Sequence, residues 1–177
     1  MKSSIYFKNF ISTAALVIVS FLMLGIAFLF FGRNYLINEY RDSMDRNADE
    51  VVRAAAALSM SESINSWDLR MVITSMATSS GDHIFVTDSG GIVLLCSDKQ
   101  LVCPHIGVQM SQNVMWLLQD NGSIDQLTNL DGFYSGTRFV VAKPINPSGS
   151  QVLGYVFVSC DTTSIVGAYR SFIWVGL

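Results

Sequence analysis

The sequence predicts an α+β protein: a transmembrane helix that continues into a long helix, then a five-stranded antiparallel sheet with flanking helices. Three observations predict this class. An uncharged, apolar run spans residues 10–31. Apolar residues at helical spacing follow it. Five short apolar stretches then alternate with turn residues, and the connections are short enough for antiparallel pairing.

The apolar run 10–31 is long enough to cross a membrane. Its 22 residues extend about 33 Å as a helix, against about 30 Å for the hydrocarbon core of a bilayer. A cleavable signal peptide has a shorter apolar core and small residues at its cleavage site, whereas bulky residues occupy 28–31 here. The sequence therefore predicts an uncleaved anchor. The tail 1–9 carries two lysines and no acidic residue, which predicts a cytoplasmic N-terminus.

Residues 34–161 are predicted to form one domain outside the cytoplasm, anchored in the plasma membrane. This segment has seven basic and fourteen acidic residues, a local net charge of −7. Nucleic-acid binding requires the opposite sign and is therefore excluded. The length suits a single globular domain.

Helical character is predicted to continue beyond the anchor, because apolar residues recur seven positions apart. These residues are Ile37, Met44, Val51 and Leu58. Two interpretations of the stripe stay open: a dimer helix rising from the membrane, or a helix that covers one face of its own sheet. Shorter helices are predicted over 68–78, after Ser66, and over 111–119, where Ser111 caps the start and Gly122 ends the helix.

Five strands are predicted from runs rich in β-branched and aromatic residues. They span 83–87, 92–96, 124–130, 137–145 and 151–160. We expect the Asp88 side chain to organise the turn between the first two strands. Residues 162–177 are predicted as an exit helix and the start of a second transmembrane helix, because the apolar run at 171–177 is too short to cross a bilayer. We expect the chain to continue beyond Leu177; a short amphipathic tail is the alternative.

Cys96 and Cys103 lie at a strand end and in the loop that follows it, with six residues between them. Outside the cytoplasm such a pair can close a disulfide, which we predict here, with free thiols or metal ligation as alternatives. Cys160 is expected to be a buried apolar residue. No metal site is predicted, because two histidines, His83 and His105, are only a weak signal for one.

The hairpin segment Ile84-Phe85-Val86-Thr87-Asp88-Ser89-Gly90-Gly91-Ile92-Val93 resembles that of single-Cache, or PAS-like, domains. These are the extracytoplasmic sensor domains of bacterial two-component sensor histidine kinases. The stretches Cys103-Pro104-His105-Ile106-Gly107 and Val152-Leu153-Gly154-Tyr155-Val156-Phe157-Val158 support the resemblance. It implies a homodimeric membrane receptor that passes a small-molecule or ionic stimulus to a cytoplasmic kinase and its response regulator.

The resemblance is more specific for the sensor domain than for the cytoplasmic output module that the sensor controls. A chemoreceptor or diguanylate cyclase is the alternative output, and a membrane-tethered accessory protein complete at Leu177 is a different class. Neither a phosphoacceptor-histidine motif nor a glycine-rich nucleotide loop occurs in the sequence. No catalytic residue or cofactor is therefore expected in these residues, and ATP and magnesium would belong to a kinase half on a longer parent.

Ligands of similar domains lie between the sheet and the loops beside the central helix. The resemblance therefore implies Tyr134, Arg138 and Lys143, in and before the fourth strand, as candidate ligand-binding residues. A guanidinium at this place can bind a carboxylate through two hydrogen bonds. The alternative is an exposed strand face that carries solvated charges.

Overall fold

The computed structural model describes residues 5–59, 63–98, 103–147, 149 and 151–161. The chain forms two compact units, Met1–Tyr40 and Arg41–Leu177. Helix α1 (Ile5–Ser59) contributes residues to both units. The exit helix and second membrane segment predicted at 162–177 lie outside the described residues.

The first unit contains an apolar helical segment that is long enough to cross a membrane. This segment, Tyr6–Phe28, has 23 residues, and none of its most apolar window is buried by the protein. At about 1.5 Å per residue it extends about 35 Å. Among the described residues it is the one helix that meets this length and composition, and it overlaps the predicted anchor at 10–31.

The second unit contains a five-stranded antiparallel sheet, as predicted. Its strands are β1 (His83–Asp88), β2 (Val93–Cys96), β3 (Ile124–Thr128), β4 (Arg138–Ile145) and β5 (Gly154–Asp161). The strand order is β2-β1-β5-β4-β3, and every neighbouring pair is antiparallel. The first and last strands of the chain therefore pair at the centre, where Phe85 lies opposite Phe157.

Two short helices pack on the sheet, α2 (Trp67–Ser80) and α3 (Gln112–Asn121). The side chain of Ser66 accepts a hydrogen bond from the backbone N–H of Leu69, which satisfies a free donor of the first turn. Ser111 caps α3 in the same way. A glycine in the left-handed conformation ends each helix. Both predicted helices are present, and each ends two residues later than predicted.

Side chains alternate between the two sides of the sheet along β1, β4 and β5, so two separate cores form. We call the first the aliphatic face; its buried members are Met44, Ala48, Val51, Ala55, Leu69, Ile73, Ala77, Ile84, Val86, Leu95, Val141, Ile145, Val156, Val158 and Cys160. We call the second the aromatic face; its buried members are Phe85, Val93, Cys96, Cys103, Met110, Val114, Met115, Leu118, Ile124, Leu130, Tyr134, Val140, Ala142, Tyr155 and Phe157.

The second part of α1, residues 41–59, covers the aliphatic face of its own sheet. Met44, Ala48, Val51 and Ala55 are all fully buried there. Their spacing of four, three and four residues is that of one helical side. Met44 and Val51 belong to the predicted heptad stripe, so for these residues the stripe packs on the sheet of the same chain. A homodimer stays a prediction.

The β1–β2 turn is organised by Asp88, as predicted. Its carboxylate oxygen Oδ1 accepts a hydrogen bond of 2.8 Å from the backbone N–H of Ile92. Gly91 follows with φ of +88°, and a Cβ atom there would lie 2.7 Å from the sulfur of Met115. Any other residue at this position would be strained by the left-handed backbone and would have to displace the Met115 side chain of α3.

Candidate functional site

Five side chains with nitrogen, sulfur and oxygen donors meet at the end of the sheet where β1 begins and β2 ends. We call them the His/Cys/Asp cluster: His83, Cys96, Asp98, Cys103 and His105. His83 is the first residue of β1 and Cys96 is the last residue of β2. Because these strands are antiparallel neighbours, the start of one lies beside the end of the other.

The turn that carries Cys103 and His105 is held against β2 by backbone hydrogen bonds. The N–H of Gly107 donates to the carbonyl of Val93 at 2.9 Å, and the N–H of Val93 donates to the carbonyl of Val108 at 3.0 Å. The turn therefore folds back over the strand, and its two donor side chains approach those of the strand ends.

The donor atoms of the cluster are close to one another. His83 Nε2 lies 3.2 Å from Cys96 Sγ and 3.4 Å from Asp98 Oδ1. On the other carboxylate oxygen of Asp98, His105 Nδ1 lies at 3.2 Å and Cys103 Sγ at 3.3 Å. One donor atom each from His83, Cys96, Asp98 and His105 all fit within 4.8 Å of one another. Asp98 is therefore the centre of the cluster.

The second nitrogen of His83 is held by a buried chain of hydroxyl groups. His83 Nδ1 lies 2.7 Å from the hydroxyl of Tyr134, and this hydroxyl lies 2.8 Å from Ser159 Oγ on β5. Ser159 in turn donates to the backbone carbonyl of His83 at 3.4 Å. These contacts fix the orientation of the imidazole ring, so that Nε2 points into the cluster.

Burial sets the protonation of the cluster at neutral pH. Desolvation lowers the pKa of His83 to about 4, although the charge of Asp98 acts in the opposite direction. Burial raises the pKa of the Cys96 thiol well above its usual range. Burial also acts to raise the pKa of Asp98, but hydrogen bonds from Cys103 and His105 outweigh it, and the net pKa is lowered. The cluster therefore presents a neutral His83, a Cys96 thiol and a carboxylate.

A cleft of about 500 Å³ opens beside the cluster. It is lined by Ala77, Thr78, Gly81, Asp82, His83, Ser97, Asp98, Arg138, Ser159 and Asp161. The guanidinium of Arg138 lies over the ring of Tyr134, 4.6 Å from its centre. Two of the three predicted ligand-binding residues, Tyr134 and Arg138, are thus brought together at this end of the sheet.

Lys143, the third predicted ligand-binding residue, lies on the opposite side of the sheet. It is five residues from Arg138 on the same strand, so the alternation of side chains directs it towards α1. Its ammonium group pairs with the carboxylates of Asp45 and Asp49, at 2.7 Å each. The structure gives Lys143 a role in packing α1 against the sheet and does not bring it to the cleft.

A second cleft, of about 590 Å³, lies beside α3. It is lined by Gly90, Gln109, Met110, Gln112, Asn113, Met115, Trp116 and Gln119. None of the three predicted ligand-binding residues lines it. Of these two clefts, the first is the better candidate ligand site, because His83, Asp98 and Arg138 line it.

The three cysteines are buried free thiols in this structure. Cys96 and Cys103 interact with each other inside the cluster. The disulfide predicted between them stays a prediction. Cys160 is buried in the aliphatic face, across the sheet from the cluster, as expected for an apolar role.

Asp98 is the residue that sequence reasoning missed. It lies fifteen residues after His83 and seven before His105, so neither histidine has this carboxylate as a close neighbour in sequence. The available signal was the combined spacing Cys96-x-Asp98-x4-Cys103-x-His105, in which four donor side chains occur within ten residues. This spacing indicates a cluster only when the segment folds back on itself.

No family model and no curated protein matches the chain. Among solved structures it is similar to the sensor domain of Escherichia coli DcuS, with 14% identity and a TM-score of 0.52, covering 73% of this chain and 96% of that one. It is also similar to the sensor domain of the Vibrio cholerae histidine kinase DctB, with 15% identity and a TM-score of 0.48, covering 77% and 60%. The first similarity confirms the predicted PAS-like sensor-domain fold.

Proposed function

We propose that these residues are the anchor and extracytoplasmic sensing region of a membrane-bound two-component sensor histidine kinase. The observation that carries the proposal is the occurrence, on one chain, of a sensor-domain fold and an apolar helix long enough to cross a membrane. The solved relatives are sensor domains, one of them from a named histidine kinase. A fold hosts several functions, so the role is a proposal that the site must support.

The sensing mechanism that we propose is a shift between two conformations of the domain. A stimulus that binds one conformation more tightly at the cleft changes the position of β5 relative to α1. The two elements lie at the beginning and the end of the domain, so their displacement passes to the membrane helices. In a homodimer this displacement changes the activity of a cytoplasmic kinase, which uses ATP and magnesium and phosphorylates a response regulator.

The orientation follows from the charge around the anchor. The tail 1–9 has two lysines and no acidic residue, whereas residues 34–161 carry a net charge of −7. Basic segments stay on the cytoplasmic side. We therefore place the tail in the cytoplasm and the sensor domain outside.

Paired cysteine substitutions test this orientation. Ser123 is exposed after α3, and Ser4 belongs to the tail. In intact cells, a membrane-impermeant maleimide should label Ser123→Cys and leave Ser4→Cys unlabelled until the cells are permeabilised. The unsubstituted chain, whose three cysteines are buried, measures the background. Labelling of Ser4→Cys alone in intact cells would contradict the proposal.

The reading frame of the source DNA tests the link to a kinase. We expect codons after Leu177 to complete a second apolar segment and then to encode a phosphoacceptor-histidine helix and an ATP-binding domain. A stop codon directly after Leu177 would refute the kinase assignment. If the codons after Leu177 instead encode a chemoreceptor signalling segment or a diguanylate cyclase domain, that module replaces the kinase as the output of the sensor.

A further inference from the structure

We propose that His83, Cys96, Asp98 and His105 bind one divalent transition-metal ion of the zinc class, with Cys103 as an adjacent fifth donor. The site lies at the end of the sheet beside the cleft, and its donors come from three separate segments of the chain. Metal binding is independent of the proposed function. The further claim, that the bound ion is the stimulus of the sensor, rests on the proposed function.

The separations between the donor atoms suit a tetrahedral ion. Zinc lies about 2.0–2.1 Å from histidine nitrogen and about 2.3 Å from cysteine sulfur, so donors at its corners are roughly 3.4–3.8 Å apart. The cluster already has donor pairs at 3.2 Å (His83–Cys96), 3.4 Å (His83–Asp98) and 3.2 Å (His105–Asp98). Since all four donors fit within 4.8 Å, side-chain adjustments alone can close the site.

The chemistry of the donors selects the class of ion. Thiolate and imidazole ligands favour zinc, cobalt, nickel and copper, whereas magnesium and calcium take oxygen ligands. Two imidazoles, one thiol and one carboxylate converge here, and the thiol of Cys103 lies 3.3 Å from the same carboxylate. When an ion binds, the proton of the Cys96 thiol passes to solvent and the sulfur bonds the metal as thiolate.

The hydroxyl chain behind His83 is an independent observation that points to a metal ligand. A histidine that binds metal through one nitrogen usually donates its other N–H to a fixed partner, which sets the tautomer and the ring orientation. Here Nδ1 lies 2.7 Å from the hydroxyl of Tyr134, which is 6% exposed. This arrangement leaves the lone pair of Nε2 directed at the other donors.

An ion can reach the site, and its binding is connected to the last strand. His83 and Asp98 line the cleft, and the side chains of Asp98 and His105 remain partly exposed. On the opposite side, Tyr134 joins His83 to Ser159, two residues before the end of β5. An ion that fixes His83 therefore also restrains the strand that leads towards the predicted exit helix.

Metal binding to the whole chain tests the site. The 177-residue chain is purified in detergent under anaerobic, reducing conditions, stripped of metal, and titrated with Zn²⁺ or Co²⁺. We expect one ion per chain, with the visible bands of tetrahedral cobalt and a near-ultraviolet sulfur-to-cobalt transition. Cys96→Ser and His105→Gln should weaken binding by more than about 100-fold, which exceeds the loss expected for residues that only orient a ligand.

Two matched controls separate ligands from general effects on the fold. Cys160→Ser also replaces a buried cysteine, but on the other side of the sheet, and should leave affinity unchanged. Tyr134→Phe should weaken binding about 10- to 100-fold, whereas Tyr155→Phe, which removes a hydroxyl of the same core, should not. Cys103→Ser should lower the metal affinity less than Cys96→Ser does. The intensity of the sulfur-to-cobalt transition in each variant gives the number of thiolates bound to the ion.

Several results would overturn the metal site. One is a wild-type chain that binds neither ion under these conditions, and another is equal binding by the Cys96→Ser variant. A third is a Cys96–Cys103 linked peptide, without bound metal, in chain isolated from cells without reductant. That result would support the predicted disulfide instead.

Hydrogen exchange tests whether the ion acts as a stimulus. Zn²⁺ should slow amide exchange in β5 as well as at the cluster, and Tyr134→Phe at saturating Zn²⁺ should lose the effect in β5. Unchanged β5 exchange on saturation would refute the stimulus role. If the chain binds metal but Ser123→Cys is labelled only after the cells are permeabilised, the proposed function is refuted and the metal site stands. If Ser123→Cys is labelled in intact cells but the chain binds no metal, the metal site is refuted and the proposed function stands.

Discussion

The two faces of the sheet are built from alternate residues of the same strands, yet they differ in chemistry. Every buried member of the aliphatic face is a methionine, alanine, valine, leucine, isoleucine or cysteine. The aromatic face contains stacked phenylalanines and two buried tyrosines, and the His/Cys/Asp cluster lies at its end. In β1, Ile84 faces one side while His83 and Phe85 face the other.

One face of the sheet therefore mainly stabilises the fold, whereas the other face also carries the polar and titratable side chains of the candidate site. The aliphatic face is closed by two helices, α2 and the second part of α1, and its charged residue Lys143 is held by two carboxylates. The aromatic face is only partly covered by α3, beside which the second cleft lies, and the first cleft opens at the end of the sheet next to the cluster. Substitutions at neighbouring positions of one strand should therefore have different consequences.

The largest expected difference is between Phe157 and Val158, which are both fully buried on β5 but face opposite sides. Phe157 stacks on Phe85 with ring centres 4.6 Å apart. Phe157→Ala should lower the free energy of unfolding by about 3–5 kcal/mol. Val158→Ala removes two methylene equivalents and should cost about 2 kcal/mol. Urea unfolding followed by circular dichroism measures both, and an equal or larger loss for Val158→Ala would contradict the comparison.

A pH effect of intermediate size should come from His83 in the metal-free protein. Burial lowers its pKa from 6.5 to about 4, against the attraction of Asp98 and with the repulsion of His105 and Arg138. Between these values the unfolded chain binds the proton and the folded chain does not. The contribution of His83 should therefore lower folding stability by up to about 3 kcal/mol as the pH drops from 6.5 to 4, and this contribution changes no further below.

The pKa of His83 can be read directly from an NMR titration of its ring, and the stability from unfolding curves at each pH. The variant His83→Gln serves as the control, because it lacks the titrating group and should show a shallower loss of stability in this range. A His83 ring that titrates near 6.5 would contradict the burial argument.

The smallest effect is expected for Lys143→Met. Burial acts to lower the pKa of Lys143, but hydrogen bonds with Asp45 and Asp49 outweigh it, and the net pKa is raised. The raised pKa of Lys143 therefore contributes stability at neutral pH, and this contribution is lost as the pH rises through the pKa of the folded state. Because both carboxylates are about half exposed, the loss should be only about 0.5–1 kcal/mol.

A double-mutant cycle with Asp49→Asn isolates this interaction, and added salt should reduce it. The zinc affinity of Lys143→Met should equal that of the wild type, because Lys143 lies across the sheet from the cluster. A marked loss of zinc binding in this variant would show that the two faces are coupled.

Much of the fold could be predicted because its signals are local. Ser66 and Ser111 begin helices because their hydroxyls accept first-turn N–H groups, and Asp88 organises a turn through a neighbour four residues away. The candidate site was predicted only in part. Tyr134 and Arg138 lie beside it, whereas Lys143 lies on the opposite face, five residues after Arg138 on the same strand. The alternation of side chains along the predicted strand 137–145 already indicated this separation.

The sequence by itself determined the apolar anchor segment, the α+β class and the approximate positions of the helices and strands, within about three residues at their ends, because each depends on residues close together in the chain. Only the tertiary structure decided that β1 and β5 pair at the centre and that Asp98 lies among two histidines and two cysteines. Such contacts join residues that are distant in sequence, and they depend on which strands pair, in which register and on which face.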